Sequence, residues 1–264
     1  MPHLTHGRIL VESDDRILRI TLDRPDAGNA IDLEMAQDLL EAAGLVTAGA
    51  KAGLRAVLLS ANGKMFCVGG DLKAFAAAPD RGELMHEVAH TAHRALDMLT
   101  SAPVPIVSAV HATAAGAGIG LALTADIVIA SDTAKFKMAY TAAGLSPDFG
   151  TSWILARDLG LARSLNLALT NRLFSATEAE QWGLISEVAG TDAFDQRVTE
   201  ILESLAAGPT EALGATKQLL REHYGHSYRE HLDIEEESIA RLVNRPDGYE
   251  GIGAFIERRT PNFR

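Results

Sequence analysis

Residues 105–150 read PIVSAVHATAAGAGIGLALTADIVIASDTAKFKMAYTAAGLSPDFG. An apolar run at 106–110 enters a turn of small residues. Gly116, Gly118 and Gly120 then open a helix-like run at 121–125, and a second apolar run follows at 127–130. The stretch ends on Asp148, set between Pro147 and Phe149 in a segment, 139–155, that carries no other charge. A strand that feeds a helix start leaves backbone N–H groups unpaired at the positive end of the helix dipole. Such a place holds an anion or stabilises an oxyanion that forms during a reaction. Asp148 is the acid/base group that could act on a molecule held there.

The same strand-to-glycine pattern occurs earlier. Residues 56–60 (AVLLS) form a short, continuously apolar strand, as expected when both faces are buried, and ANGKMFCVGGDL follows at 61–72. Asp71 is placed to cap the next helix. Towards the N-terminus, branched residues at 8–12 and 16–22 flank Asp14 and Asp15, which predicts a hairpin-like pair of strands. Asp32 is a predicted N-cap for a helix with Met35, Leu39, Leu40 and Ala43 on its apolar side. Residues 84–99 form an amphipathic helix that ends at Pro103 and Pro105. Beyond Gly150 the chain reads as helical throughout, at 151–159, 162–169, 177–181, 192–206, 209–223, 228–243 and 249–258. This change near Gly150 is the clearest internal boundary in an α/β chain.

The composition narrows the function classes. The chain has 264 residues, is 47% hydrophobic and carries a formal net charge of −11. A sizeable core is expected, and nucleic acid or an anionic membrane is not the expected partner. A single cysteine precludes an intrachain disulfide and fits a reducing compartment. No signal peptide and no apolar run near the roughly 20 residues of a membrane span is present, so a soluble, cytoplasmic protein is expected.

Four features carry competing readings. The GAGIG run at 116–120 lies between a strand and a helix, as a dinucleotide fingerprint does, but residue 121 is Leu where that motif needs Gly or Ala. Close helix packing also explains such glycines. His86-Glu87-Val88-Ala89-His90 matches the zinc-hydrolase pattern H-E-x-x-H, with His93 one turn on. A polar helix face is the plainer reading, and no metal is expected. Cys67, beside Gly69 and Gly70, lacks a visible base and is expected to be a buried structural thiol. Asp148 could also serve as a helix cap.

Two segments together resemble the crotonase, or enoyl-CoA hydratase/isomerase, superfamily. MFCVGGDL at 65–72 is similar to its F-x-A-G-x-D-L turn. PIVSAVHATAAGAGIGL at 105–121 is similar to its P-x-x-A-x-x-G-x-x-x-G-G-G-x-x-L segment. The likeness continues in Arg24-Pro25 with Asn29-Ala30, in AEQWGLI at 179–185 and in the ending EGIGAFIERRTP at 250–261. It implies an α/β core over 1–205 built as a spiral of ββα units, a helical C-terminal trimerisation region over 206–264, and a homotrimer or dimer of trimers. The implied substrate is an acyl-CoA thioester, with coenzyme A as part of the substrate and no separate cofactor.

The resemblance also assigns residues. The backbone N–H groups of Gly70 and Ala117 would form the oxyanion hole, with Ala117 where glycine is usual. Hydratases of the family use two glutamates; the matching positions here are Gly120 and Tyr140, which puts standard hydration in doubt. Asp148 stands where ring-epoxide and double-bond isomerases of phenylacetyl-CoA metabolism, and 4-chlorobenzoyl-CoA dehalogenases, carry an aspartate. In the dehalogenase reading, Asp148 is the nucleophile, His93 the base, and Tyr140 stands in place of a ring-binding tryptophan. The isomerase reading is preferred, and a CoA-binding homologue without chemistry is the third possibility. Substrate contacts are expected from Ala30, Val68, Asp71, Leu72 and Tyr140, with Arg24, Lys73 and Arg258 as candidate partners of the CoA phosphates.

Overall fold

The structure is a computed structural model that describes residues 3–14 and 16–263. In chain order its elements are β1 (Ile9–Ser13), β2 (Ile17–Leu22), α1 (Leu33–Lys51), β3 (Ala56–Ala61), α2 (Leu72–Ala77), α3 (Arg81–Ser101), β4 (Ile106–Val110), β5 (Ala114–Ala115), α4 (Ala117–Leu123), β6 (Ile127–Ser131) and β7 (Lys135–Lys137). There follow α5 (Thr151–Leu159), α6 (Leu161–Thr170), β8 (Phe174–Ser175), α7 (Ala176–Gln181), β9 (Glu187–Ala189), α8 (Phe194–Ala207), α9 (Thr210–Glu222), α10 (Tyr228–Leu242) and α11 (Pro246–Glu257).

Six strands form one sheet in the order β1-β2-β3-β4-β6-β9. Only the β1–β2 hairpin is antiparallel; every later pair is parallel. The turn of this hairpin includes Asp15, which lies outside the described residues, while Asp14 Oδ1 accepts from the N–H groups of Arg16 and Ile17. All five residues of β4 are buried, because helices cover both faces of the sheet. One face packs on α1 and α3. The other buries Val107, Ala109 and Ile129 against Phe194, Val198, Leu202 and Ala206 of α8.

A second, smaller layer turns the chain into a spiral. β5 pairs with β7 in parallel, and β7 pairs with β8 antiparallel. Two isolated bridges, Ile31 with Gly70 and Cys67 with Ala114, extend this layer back through the earlier turns. Each circuit therefore places one long strand in the main sheet and one short segment in the second layer. This is the ββα spiral that the resemblance implies.

The sequence reading needs correction after Gly150. That region is not purely helical: β8 and β9 are strands, and β9 closes the edge of the main sheet beside β6. Two or three residues are too few to show an alternation, so only the partners reveal them. The helix expected at 121–125 starts earlier, at Ala117, and ends at Leu123. Lys217 of α9 reaches into the core, where its Nζ donates to Leu99 O and Val104 O and pairs with Asp126 at 2.9 Å.

Candidate active site

Two turns meet at the centre of the second layer. Asp71 caps α2, accepting at Oδ1 from the N–H groups of Lys73 and Ala74. Its Oδ2 accepts from Arg24 Nη1 at 2.7 Å, and the same nitrogen donates to Ala30 O. Arg24 also lies 3.3 Å from Asp32, the cap of α1. These bonds fix the chain at Gly70. The opposite turn is pressed against it: a Cβ placed on Gly69 would lie 3.3 Å from Ala117 N. On Gly118 it would meet Cys67 O at 2.3 Å, a distance no side chain tolerates.

The amides in these turns are of two kinds. Those of Ala115, Gly116 and Asp71 are taken, by Cys67 O, Lys137 O and Ile31 O respectively. Those of Gly70 and Ala117 donate to no acceptor among the described residues. Ala117 is the first residue of α4, where an N–H has no partner within the helix. Both residues line a cavity of about 200 Å³, together with Leu72, Phe75, Met85, Val88, Leu145 and Phe149 as apolar wall. Gly70 and Ala117 thus bring to this cavity wall two backbone amides with no acceptor among the described residues.

Asp148 and Tyr140 line the same cavity. The Tyr140 hydroxyl donates to Asp148 Oδ1 at 2.7 Å, and Thr151 Oγ1 lies 3.3 Å behind it. Burial holds the Asp148 carboxyl above its ordinary pKa, against the lowering effect of the Tyr140 hydrogen bond. Burial, reinforced by the Asp148 charge, raises the Tyr140 phenol in turn, so Tyr140 keeps its proton. Asp148 does not cap α5 with its side chain; its backbone carbonyl accepts from Thr151 N–H instead. Ala139 (φ 62°) and Phe149 (φ 52°) adopt left-handed backbone next to Tyr140 and Asp148. Non-glycine residues in that region store strain, and they concentrate where a side chain must be aimed.

His93 stands behind this pair and is not part of the cavity wall. Its Nε2 accepts the Phe149 N–H at 3.1 Å, and its ring meets the Phe149 ring edge-on. An imidazole nitrogen that accepts this bond has no lone pair left for a water molecule. Neither sequence reading gave His93 the task of holding the Asp148–Phe149 backbone, since only the fold brings α3 beside that loop. Thr151 was likewise unforeseen; its one signal is its place three residues after Asp148.

The remaining predicted positions separate into groups. Val68 and Leu72 line the cavity. Ala30 is buried and contributes its carbonyl to Arg24, while Asp71 and Arg24 are occupied with each other. Lys73 on α2 and Arg258 at the end of α11 are exposed at the surface, away from the cavity wall. Cys67 is fully buried and desolvation pushes its thiol up to about 12. His86, Glu87 and His90 lie on an exposed face of α3, with the two rings stacked 6.2 Å apart. Among the described residues no group of three metal-ligating side chains is assembled.

The space of a second catalytic carboxylate is filled. At Gly120 a Cβ would meet Phe149 O at 2.2 Å and Thr151 Oγ1 at 2.7 Å. The site thus combines two backbone amides, one half-buried carboxylate and one phenol in an apolar cavity, an arrangement suited to stabilising an enolate and moving a proton.

Known proteins agree with this geometry. Residues 12–264 match the enoyl-CoA hydratase/isomerase family model. The chain is 36% identical to a 1,2-epoxyphenylacetyl-CoA isomerase of Escherichia coli (strain K12), over 97% of each protein. It is 29% identical to a 4-chlorobenzoyl coenzyme A dehalogenase-2 of an Arthrobacter species, over 94% of this chain and 90% of the other. The crystal structure of an enoyl-CoA hydratase from Polaromonas sp. JS666 superposes with a TM-score of 0.89 at 32% identity, covering 97% of this chain and 99% of that one. With its crotonase-type spiral and its paired turns at Gly70 and Ala117, this chain belongs to the enoyl-CoA hydratase/isomerase family.

Proposed function

We propose that the protein is an acyl-CoA isomerase that moves a proton, and with it a double bond, through a CoA enolate. One observation carries this reading: Asp148 is the one carboxylate on the cavity wall, and it shares that wall with the unpaired amides of Gly70 and Ala117. The thioester oxygen would accept from these two amides. Asp148 would take a proton from carbon, the electron pair of the broken C–H bond would pass onto the thioester oxygen, and Asp148 would return the proton at another carbon. The carboxylate is regenerated, so no further cofactor is required. A hydratase of the two-glutamate kind is disfavoured, because residue 120 has no room for a side chain.

The wall of leucine, phenylalanine, methionine and valine suits an uncharged, apolar acyl group. Arg24 is already engaged with Asp71, so Lys73 and Arg258 are the better candidates for the CoA phosphates. Leu161, Leu165 and Leu169 form an exposed apolar row on α6, and Phe255 and Ile256 are exposed on α11. These surfaces support a homotrimer or dimer of trimers, which light scattering would measure directly. A cytoplasmic location belongs to the same proposal; no helix among the described residues is long and apolar enough to cross a membrane.

The experiment is Asp148→Asn. Double-bond migration in 3-enoyl-CoA substrates is expected to fall by about a thousandfold or more, while binding of a saturated acyl-CoA stays within about twofold. Unchanged turnover would sink the reading. The dehalogenase alternative draws on the similarity at Asp148 but requires a free His93. Release of chloride from 4-chlorobenzoyl-CoA, lost in His93→Gln, would establish it.

A further inference from the structure

We infer that Tyr140 is a positioning residue that binds one oxygen of Asp148 and so leaves Oδ2 as the single atom through which the proton leaves and returns. The inference rests on the isomerase reading of Asp148. Its own ground is the hydrogen-bond pattern. Oδ1 accepts from Tyr140 at 2.7 Å, whereas Oδ2 accepts from no other residue among the described ones. The phenol is itself held. Its ring is buried, its hydroxyl has Thr151 Oγ1 at 3.3 Å, and left-handed backbone at Ala139 and Phe149 fixes both ends of the pair.

A carboxylate free to turn about χ2 can offer either oxygen, and this freedom is lost when one oxygen is bound to a fixed donor. The step then balances simply. Oδ2 of the carboxylate takes the proton as the C–H bond breaks, and the pair of electrons moves to the thioester oxygen. The same Oδ2–H gives the proton back, and Tyr140 stays protonated throughout. A proton held on one oxygen while the substrate fills the cavity exchanges slowly with water, so much of it should return to the same molecule.

The charged and titratable groups around Asp148 are Tyr140, on its own loop, and His93, from α3. Removing the phenol O–H withdraws an interaction that favours the ionised carboxylate. In Tyr140→Phe, therefore, the acid limb of kcat should move to higher pH. kcat should fall about tenfold or more with KM little changed, and the fraction of deuterium retained during isomerisation should drop. The Asp148 carboxyl carbon, followed by NMR in the resting protein, should titrate at higher pH in Tyr140→Phe. It should titrate at lower pH when 3-fluorotyrosine replaces Tyr140, which keeps the shape and strengthens the donor.

A titration and a pH profile that stay where they are in both variants would overturn the role of Tyr140. If Asp148→Asn abolishes turnover in the same assay, that result leaves the isomerase reading standing. If Asp148→Asn keeps full turnover, the isomerase reading fails whatever the titration shows.

Discussion

A Cβ on Gly120 would lie 2.2 Å from the carbonyl oxygen of Phe149. The backbone that carries Asp148 therefore occupies the volume a side chain at 120 would need. Gly120→Ala is expected to cost about 2 kcal/mol of stability through overpacking, read as a lower urea midpoint with an unchanged slope. Gly120→Glu should destabilise further and should gain no hydration of a 2-enoyl-CoA. Efficient hydration by that variant would show that the loop yields.

Asp148 also sets a pH dependence of stability. Its pKa is raised in the folded protein, chiefly by burial, so the folded state holds this proton to higher pH than the unfolded chain does. Below the unfolded value the carboxyl is protonated in both states and costs nothing. As pH rises from the unfolded value through the folded pKa, keeping a half-buried carboxylate ionised becomes a growing penalty that then levels off. Asp148→Asn should accordingly raise Tm at pH 7 and change it little in acid, while abolishing turnover. A Tm difference that is constant from acid to neutral pH would contradict this.

The apolar wall predicts a ranking of ligands. Hexanoyl-CoA should bind at least about tenfold more tightly than adipoyl-CoA, whose distal carboxylate would be buried near Asp148 without a cation on the cavity wall. Calorimetry with these two saturated ligands measures this without any turnover, and equal affinities would contradict it.

Lys217 is a buried cation held by Asp126 and two carbonyls. Lys217→Met removes one partner of a buried pair, although Arg221 remains on Asp126 Oδ1 at 2.7 Å. A loss of about 3 kcal/mol is expected in chemical denaturation, with turnover per folded molecule unchanged.

The Cys67 thiol donates to Asn29 O and has no solvent access. Combined with its raised pKa, this predicts that thiol reagents modify the native protein only at its rate of opening. Rapid modification of native protein would show that the turn at residues 67–70 breathes on its own.

The pieces of the site differ in how far the sequence alone discloses them. The glycine turns were legible because steric demands are local: Gly116 follows a strand and precedes α4, and Gly118 and Gly120 fall in the opening turns of that helix. Asp148 was legible because it is the lone charge in an apolar segment. The bond from Tyr140 to Asp148 was not, since a tyrosine eight residues away has no fixed direction until Ala139 and Phe149 take up left-handed backbone. Nor was the pairing of Arg24 with Asp71, which joins the turn before α1 to the cap of α2 across a long stretch of chain. His93 shows the same limit, as its spacing fits a base while its neighbour makes it a backbone anchor. The short strands β8 and β9 are set by β7 and β6 and leave no periodic trace of their own.

The donors at Gly70 and Ala117 come from separate circuits of the spiral, joined by the bridge between Cys67 and Ala114. Neither circuit can present its amide correctly before the other has been laid down beside it. On the proposed reading of these two amides, turnover is expected only once both circuits are in place. Recovery of turnover after dilution from denaturant would thus serve as a clock for completion of the whole spiral, lagging behind any probe of helix content alone.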